Sequence, residues 1–300
     1  MRPDPPRVTI VIPTLGLAER SELIESAVQS VLSQEDVRSV PLVVLNGTRA
    51  SPAVERWLRA DERIRLVTLR RADLPTALRV GRRSVDTAYF GSLDDDDELL
   101  PGALAHRIEL LESEGRERDV VVTNGYRRRD GVDELNVAAD AAVAEDPLRS
   151  LLEGNWLLPG SWLCRTATVG EELFEGMPRY LECTYLAARF ATGYRMRWSG
   201  RPTVAYRLGS PGAESESRGY VVGQADALRR ILELPLPADV ERDFERRIAT
   251  AYHDAAEYDR RSGDLGAAWR WHLASLASPG GWRYLPYTRH LLGPASGAAT

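Results

Sequence analysis

The chain has 300 residues, a formal net charge of −5 and 43% hydrophobic residues, which is the composition of an ordinary globular protein. That charge excludes a global basic field, so we expect no nucleic-acid partner. Two cysteines, Cys164 and Cys183, are too few for a disulfide framework or a zinc site. No stretch approaches the ~20 apolar residues of a membrane span. We therefore expect a cytoplasmic protein with at most a peripheral membrane contact.

Strands and helices alternate through the first hundred residues. Short apolar runs rich in β-branched residues predict buried strands, and a single apolar stripe at helical spacing predicts the helices between them. Such alternation predicts a parallel sheet that helices cover on both faces. The predicted strands are Val8–Ile12, which Pro13 ends, Pro41–Leu45, Ile64–Leu69 and Ala88–Leu93, and the predicted helices are Glu19–Gln34, Pro52–Ala60 and Leu74–Val85.

The pattern is less regular beyond residue 100. The Gly-, Pro- and Trp-rich stretch after Leu152 is predicted to be a loop. After about residue 219 the segments have helical spacing, so we predict an α/β domain at 1–218 and a C-terminal helical region at 219–300. The predicted elements are helices at Pro101–Ser113, Arg179–Ala191, Val222–Leu232, Ala238–Ser262, Leu265–Ala277 and Trp282–Leu292, and strands at Asp119–Asn124 and Val204–Leu208.

Four consecutive aspartates, Asp94 to Asp97, follow directly on the fourth predicted strand. Ligands of open parallel sheets lie beyond the carboxyl ends of the strands. Adjacent carboxylates there need a compensating charge, which a Mg²⁺ or Mn²⁺ ion supplies while it keeps positions for phosphate oxygens. The alternative is a solvated acidic turn that caps the next helix. The buried strand before the run favours the metal and phosphate site.

Three motifs, in this order, resemble the family 2 glycosyltransferases of GT-A fold: Val8–Thr14, Val43–Thr48 and Leu93–Asp97. The resemblance covers about residues 7–210. It implies a Rossmann-like α/β fold with a mixed, mainly parallel sheet between helices, and the C-terminal helices are then an appendage. It also implies an inverting, metal-dependent transfer of a sugar from a nucleoside-diphosphate sugar to the hydroxyl of an acceptor.

The resemblance implies roles for residues that contact the nucleotide. Pro13, Thr14 and Leu15 match the loop that lies against the nucleoside. Asn46 stands where the family often has an Asp that reads the base. Arg79 stands where the family more often has Asn, and it is either a diphosphate ligand or a surface residue.

The acidic run matches the DxD motif of the family. Asp94 and Asp96 match its outer members, and Asp96 would be the principal ligand of Mn²⁺ or Mg²⁺. Asp94 or Asp95 would hold the ribose or a metal-bound water. Related sequences often add a His ligand where this chain has Gly209, so the metal would depend on Asp96, the diphosphate and water.

An inverting transfer needs a general base that takes the proton of the acceptor hydroxyl. The family usually carries this base in a Glu-Asp pair that opens a helix, and here the pair is Glu182-Cys183. A thiol is a poor replacement, since its ordinary pKa is about 8.5. Glu182 acts as the base, or the acceptor is already nucleophilic, or the chain only binds a sugar nucleotide.

The stretch Asn155–Trp162 places two tryptophans near the expected acceptor side, to which Cys183 is also assigned. Trp156 and Trp162 either stack on a sugar acceptor or pack in the core, and packing is slightly favoured. The acceptor itself (a glycan, a lipid-linked sugar, a protein or a natural product) and the oligomeric state stay open. Two other functions stay open as well: a non-catalytic sugar-nucleotide-binding protein and, with less support, a nucleotidyltransferase. The latter would need a basic, Gly-rich loop after the first strand.

Overall fold

The computed structural model describes residues 7–113, 117–138, 140–210, 214 and 217–292. The chain divides into two compact units. The N-terminal unit comprises Met1–Met177 and Glu182–Pro211, and the C-terminal unit comprises Pro178–Leu181 and Gly212–Thr300. The two domains predicted from the sequence stay a prediction, because compactness does not show independent folding.

A mixed sheet is the framework of the N-terminal unit. Over the described residues its spatial order is β3-β2-β1-β4-β8-β6-β9-β5, and β7 pairs with β6. Its strands are β1 (Val8–Thr14), β2 (Ser39–Asn46), β3 (Arg65–Leu69), β4 (Tyr89–Ser92), β5 (Glu98–Leu99), β6 (Val120–Arg129), β7 (Val132–Leu135), β8 (Trp162–Arg165) and β9 (Met196–Arg207).

Seven α-helices of the described residues belong to this unit. The helices of its first half connect parallel strands, as right-handed βαβ units require. The helices are α1 (Ser21–Leu32), α2 (Pro52–Ala60), α3 (Leu74–Arg83), α4 (Ala103–Glu112), α5 (Asp140–Glu145), α6 (Pro147–Ser150) and α7 (Glu182–Gly193), and a 3₁₀ turn (Ala18–Arg20) precedes α1.

Strand β1 lies at the centre of the parallel half of the sheet. It pairs with β2 from Val8 to Thr14 but with β4 only as far as Val11. The strand therefore continues through Pro13, and the prediction that this proline ends it was wrong. The missing N–H of Pro13 costs no ladder bond to β4, because β4 has already ended there. The side chains of β1 are fully buried, and each such apolar side chain contributes about 1.5–3 kcal/mol to stability.

The second half of the sheet mixes directions. β8 runs antiparallel between β4 and β6, and β6 runs parallel to β9. The strand β8 begins at Trp162, at the end of the stretch that was predicted to be a loop. Gly91 permits this packing, since a Cβ atom there would lie 2.8 Å from the carbonyl oxygen of Trp162. The predicted fold, a mixed α/β sheet flanked by helices and followed by C-terminal helices, is confirmed.

The C-terminal unit is helical over its described residues. α9 packs against both α8 and α10, and the final segment begins as a 3₁₀ helix where a longer α-helix was predicted. No helix of the described residues combines the length and apolarity needed to cross a membrane. Its elements are α8 (Arg218–Ile231), α9 (Ala238–Arg261), α10 (Leu265–Ala277), a 3₁₀ helix (Gly281–Tyr287) and α11 (Thr288–Leu292).

Candidate active site

Three strand ends meet at one edge of the sheet. β1 lies between β2 and β4, and all three strands run parallel, so the segments that follow them are neighbours. This edge brings together Thr14 at the end of β1, Asn46 at the end of β2 and the Asp94–Asp97 turn after β4. The sequence prediction placed its nucleotide and metal ligands at such an edge.

Asp95 is held by the segment that follows β1. Its carboxylate accepts a hydrogen bond of 2.5 Å from the Thr14 hydroxyl and forms an ion pair with the Arg20 guanidinium. The same guanidinium contacts an Asp96 oxygen at 3.0 Å. The Thr14 hydroxyl also accepts a hydrogen bond from the Gly16 amide. Gly16 has a φ of +67°, a backbone conformation that favours glycine. Asp95, predicted to bind the nucleotide, therefore also fixes the loop of Thr14 and Leu15 to the acidic turn.

The other three aspartates converge. One carboxylate oxygen from each of Asp94, Asp96 and Asp97 lies within 4.8 Å of the other two. Asp97 is fully buried, and its Oδ1 accepts a 2.8 Å bond from the Arg207 amide of β9. Its Oδ2 is buried and has no hydrogen-bond partner among the described residues. The sequence prediction singled out Asp94 and Asp96, and the structure adds Asp97.

The cluster resists ionisation. Burial, with the charges of Asp96 and Asp95 adding to it, raises the pKa of Asp94 to about 7. Burial, reinforced by the charges of Asp94 and Asp96, likewise raises the pKa of Asp97 well above its usual value. A bound cation would stabilise the ionised forms and lower both pKa values. The residues fit Mg²⁺ or Mn²⁺, because three convergent carboxylates, one of them with an unpartnered buried oxygen, form a hard oxygen donor set.

Two residues at the end of strand β9, Tyr206 and Arg207, also lie beside the acidic turn. Arg207 donates from its Nε to the Asp96 carbonyl oxygen at 3.2 Å and pairs with Glu98 at 3.1 Å. Tyr206 is close enough that the charges of Asp94 and Asp97 reinforce the effect of its burial, which raises the pKa of its hydroxyl. Arg20, Tyr206 and Arg207 were not predicted. Their only sequence signal was proximity to the first loop and to the segment around Gly209.

Asn46 keeps the predicted position at the end of β2. Its side-chain oxygen accepts a 2.8 Å bond from the Asp73 amide, and Asp73 in turn caps α3 through the Thr76 amide at 3.0 Å. Arg79 lies further along α3 and is exposed. Arg79 is six residues beyond the capping Asp73, roughly 9 Å along a helix. The position of Arg79 agrees with the surface alternative better than with a diphosphate contact.

Glu182 and Cys183 open α7 and belong to the same region as the acidic turn. Burial raises the pKa of the Cys183 thiol well above its usual value, and the charges of Asp94, Glu182 and Asp97 act in the same direction. Cys183 therefore stays a neutral thiol at neutral pH and cannot take a proton as a base. The Glu182 carboxylate is the acidic group of this pair that remains for such a role.

The two tryptophans of the predicted acceptor side are buried. Trp162 packs edge-on against Phe90 and Phe190, with ring centroids 5.8 and 5.6 Å away, and only 1% of it is exposed. Trp156 is 2% exposed and packs edge-on against Trp198. Buried ring faces offer no platform for a sugar, so the positions of Trp156 and Trp162 agree with the packing alternative, which the sequence slightly favoured.

A polar cleft of about 560 Å³ adjoins the acidic turn. The start of α1, the turn between β6 and β7 and the segment Arg207–Ser210 line it, and its charged groups include Glu22 and Arg128. The lining includes Asp130 but none of the residues Asp94–Asp97. Arg207 links the two, because it lines the cleft and also donates to Asp96.

The arrangement of the sheet, with its acidic turn after β4, is that of a GT-A glycosyltransferase fold. The sequence model described as Glycosyl transferase family 2 matches residues 9–160, just over half of the chain. The chain therefore belongs to glycosyltransferase family 2, and it is a glycosyltransferase.

Solved structures agree in fold. The crystal structure of S. aureus TarS 1-349 with UDP-GlcNAc aligns with a TM-score of 0.58 and 12% identity over 90% of this chain and 81% of that chain. The same TarS fragment with UDP aligns with a TM-score of 0.53 and 13% identity over 86% and 74%. A longer S. aureus TarS structure gives 0.55 and 13% over 86% and 45%. No curated protein sequence matches the chain.

Proposed function

We propose that this glycosyltransferase takes its sugar from a nucleoside-diphosphate donor bound at the Asp94–Asp97 turn, with Mn²⁺ or Mg²⁺, and transfers it with inversion. The convergence of the carboxylates of Asp94, Asp96 and Asp97, together with the unpartnered buried Oδ2 of Asp97, carries this proposal. The UDP and UDP-GlcNAc complexes of the similar TarS fold support a uridine-diphosphate sugar as the first donor to test.

In the proposed donor site, the segments that follow β1, β2 and β4 have different roles. Pro13, Thr14, Leu15 and Asn46 contact the nucleoside, in keeping with their places beside the acidic turn. The carboxylates of Asp94, Asp96 and Asp97 would hold the metal ion, which would supply positive charge opposite the diphosphate of the donor. Asp95 fixes the first loop beside these carboxylates through its contacts with Thr14 and Arg20.

Glu182 is the proposed general base. Its carboxylate takes the acceptor proton as the acceptor oxygen attacks the anomeric carbon and the bond to the nucleoside diphosphate breaks. Cys183 leaves this role to Glu182, because a buried thiol of raised pKa stays protonated. A protein that only binds the sugar nucleotide remains the second candidate, and turnover of a labelled donor distinguishes the two.

The donor site is tested with Asp96→Ala. In the wild type, UDP with Mn²⁺ at about a hundredfold excess over Kd should raise the Tm by roughly 5–10 °C. The Asp96→Ala variant should lose the metal-dependent part of that shift, while Asp86→Ala, an exposed carboxylate paired with Arg65, should keep it. Equal shifts in wild type and Asp96→Ala would overturn the donor-site assignment.

The base is tested with Glu182→Gln. This change should lower kcat about 10²- to 10⁴-fold, because the amide cannot accept the proton, and should leave the UDP-dependent Tm shift unchanged. The matched control is Glu171→Gln, which alters an exposed carboxylate paired with Arg83. Full activity of Glu182→Gln would place the base on another residue without affecting the donor site.

A further inference from the structure

Exposed apolar side chains concentrate near the end of the C-terminal unit. Among the described residues six large hydrophobic side chains are exposed, and Leu273, Trp282, Leu285 and Leu292 are four of them. Trp282 is 79% exposed and Leu292 is 72% exposed. An exposed tryptophan of this kind offers far more apolar surface to water than a single exposed leucine, which needs no explanation.

One side of the segment Gly281–Leu292 is anchored to the unit. The Tyr284 ring stacks on His253 at 4.1 Å, and the Thr288 hydroxyl lies 2.8 Å from a ring nitrogen of His272. The Tyr287 hydroxyl donates to Glu257, and Leu291 is 4% exposed. These contacts fix the inner side of the segment, and they do not involve the side chains on its outer side.

The apolar side chains occupy the outer side. Trp282 and Leu285 are three residues apart in a 3₁₀ helix, so they project in the same direction. Leu292 is exposed at the end of α11, one residue after the buried Leu291. We call Trp282 and Leu285 the outer apolar face.

The segment that carries this face is basic, although the whole chain is negative. Residues 265–300 contain three arginines and neither Asp nor Glu, whereas the whole chain has a formal net charge of −5. Arg270, Arg283 and Arg289 are all exposed. Arg283 is held beside the face, because it donates to Thr250 at 2.6 Å and lies over the Tyr284 ring at 4.9 Å.

We propose that the outer apolar face, with Arg283 and Arg289, docks on the surface of a membrane that carries anionic phosphate headgroups. Tryptophan partitions to the boundary between headgroups and acyl chains, and leucines beside it enter the same layer. Guanidinium groups attract the anionic headgroups around them.

A second copy of the chain fits this face less well. In a two-fold dimer the same patch meets itself, so the arginines of one copy would face those of the other. No acidic side chain within residues 265–300 compensates this repulsion. An anionic bilayer instead matches both the apolar side chains and the charge.

The test is flotation of the full chain with lipid vesicles. The protein should float with phosphatidylcholine vesicles that contain about 30 mol% phosphatidylglycerol and much less with pure phosphatidylcholine, and added salt should weaken the binding. The Trp282→Ala/Leu285→Ala variant should bind about tenfold more weakly or worse. Arg289→Gln should bind about fivefold more weakly, the loss expected for one charge near the surface.

The chain offers matched controls in its other unit. Val132→Ala/Leu135→Ala removes two exposed apolar side chains of β7, and Arg129→Gln removes an exposed arginine of β6. Both should bind like wild type. Unchanged binding of Trp282→Ala/Leu285→Ala, or equal binding to neutral vesicles, would overturn the proposal. A dimer in light scattering that this double variant dissociates, with no vesicle binding by wild type, would assign the face to a second copy.

Discussion

Two carboxylates, one in each unit of this protein, have opposite surroundings. In the N-terminal unit Asp94 lies among other aspartates, and burial with their charges raises its pKa to about 7. In the C-terminal unit Glu257 accepts hydrogen bonds from Arg260, Tyr287 and Arg261, which lower its pKa to about 2. The first arrangement weakens the fold unless a cation is bound, and the second strengthens it.

Asp97 and Asp259 sharpen this difference, because both are almost fully buried. Asp259 accepts bonds of 2.7 and 2.8 Å from Arg218 and one of 2.9 Å from the Trp271 indole nitrogen. Asp97 has only the Arg207 amide on one oxygen. Two equally buried carboxylates thus differ: both oxygens of Asp259 accept hydrogen bonds, and one oxygen of Asp97 has no partner among the described residues.

The largest expected effect is the loss of the satisfied carboxylate. Asp259→Ala should destabilise the protein by about 3 kcal/mol in urea unfolding, since it leaves Arg218 and Trp271 without their common acceptor. Asp226→Ala, which removes an exposed carboxylate paired with Arg229, should change stability by less than about 0.5 kcal/mol. If the two variants lost equal stability, the Asp259 cluster would not be a structural anchor.

The second effect has the opposite sign. Asp97→Asn should stabilise the metal-free protein by about 1–2 kcal/mol, because the amide keeps the acceptor for the Arg207 amide and removes a buried acidic group. The same variant should lose the stabilisation that Mn²⁺ with UDP gives to wild type. Urea unfolding with and without Mn²⁺ and UDP measures both changes, and a less stable metal-free variant would contradict the comparison.

The smallest effect is a pH dependence. The folded pKa of Asp94 is raised, so the folded state binds more protons than the unfolded state from about pH 4 to pH 7. Asp94 alone should therefore lower the stability without metal by about 0.7 kcal/mol between pH 6.5 and 7.5. Asp94→Asn should lose this part of the fall and keep the part that Asp97, whose pKa is also raised, contributes. Wild type saturated with Mn²⁺ and donor should lack both parts. A fall of the same size in Asp94→Asn would assign it to another group.

The sequence predicted the parallel half of the sheet well because its signals are local. Periodic apolar runs marked β1 to β4, and Pro52 and Ala60 bounded α2 as predicted. β5 and β8 were missed, since they have two and four residues and exist only through pairing with distant strands. No local pattern of turn residues reports such pairing.

The sequence predicted which segment forms the candidate site, but not which contacts each aspartate of that segment makes. The acidic run was identified, yet the inward position of Asp97 depends on Arg207, which is 110 residues away. The pairing of Asp95 with Arg20 likewise depends on how α1 begins. Periodicity cannot distinguish four identical neighbours, and here the turn geometry gives each aspartate its own contacts.

The hydrogen bond from Arg207 to Asp97 also has a consequence for the order of synthesis. The ribosome adds about 5–20 residues per second, so Asp97 precedes its partner by roughly 5–20 s. During that interval β1 to β4 can already pair, while the acidic turn has its contacts to Thr14 and Arg20 but not those to Arg207. A nascent chain that stops before β9 would contain the family motif and still lack an assembled donor site.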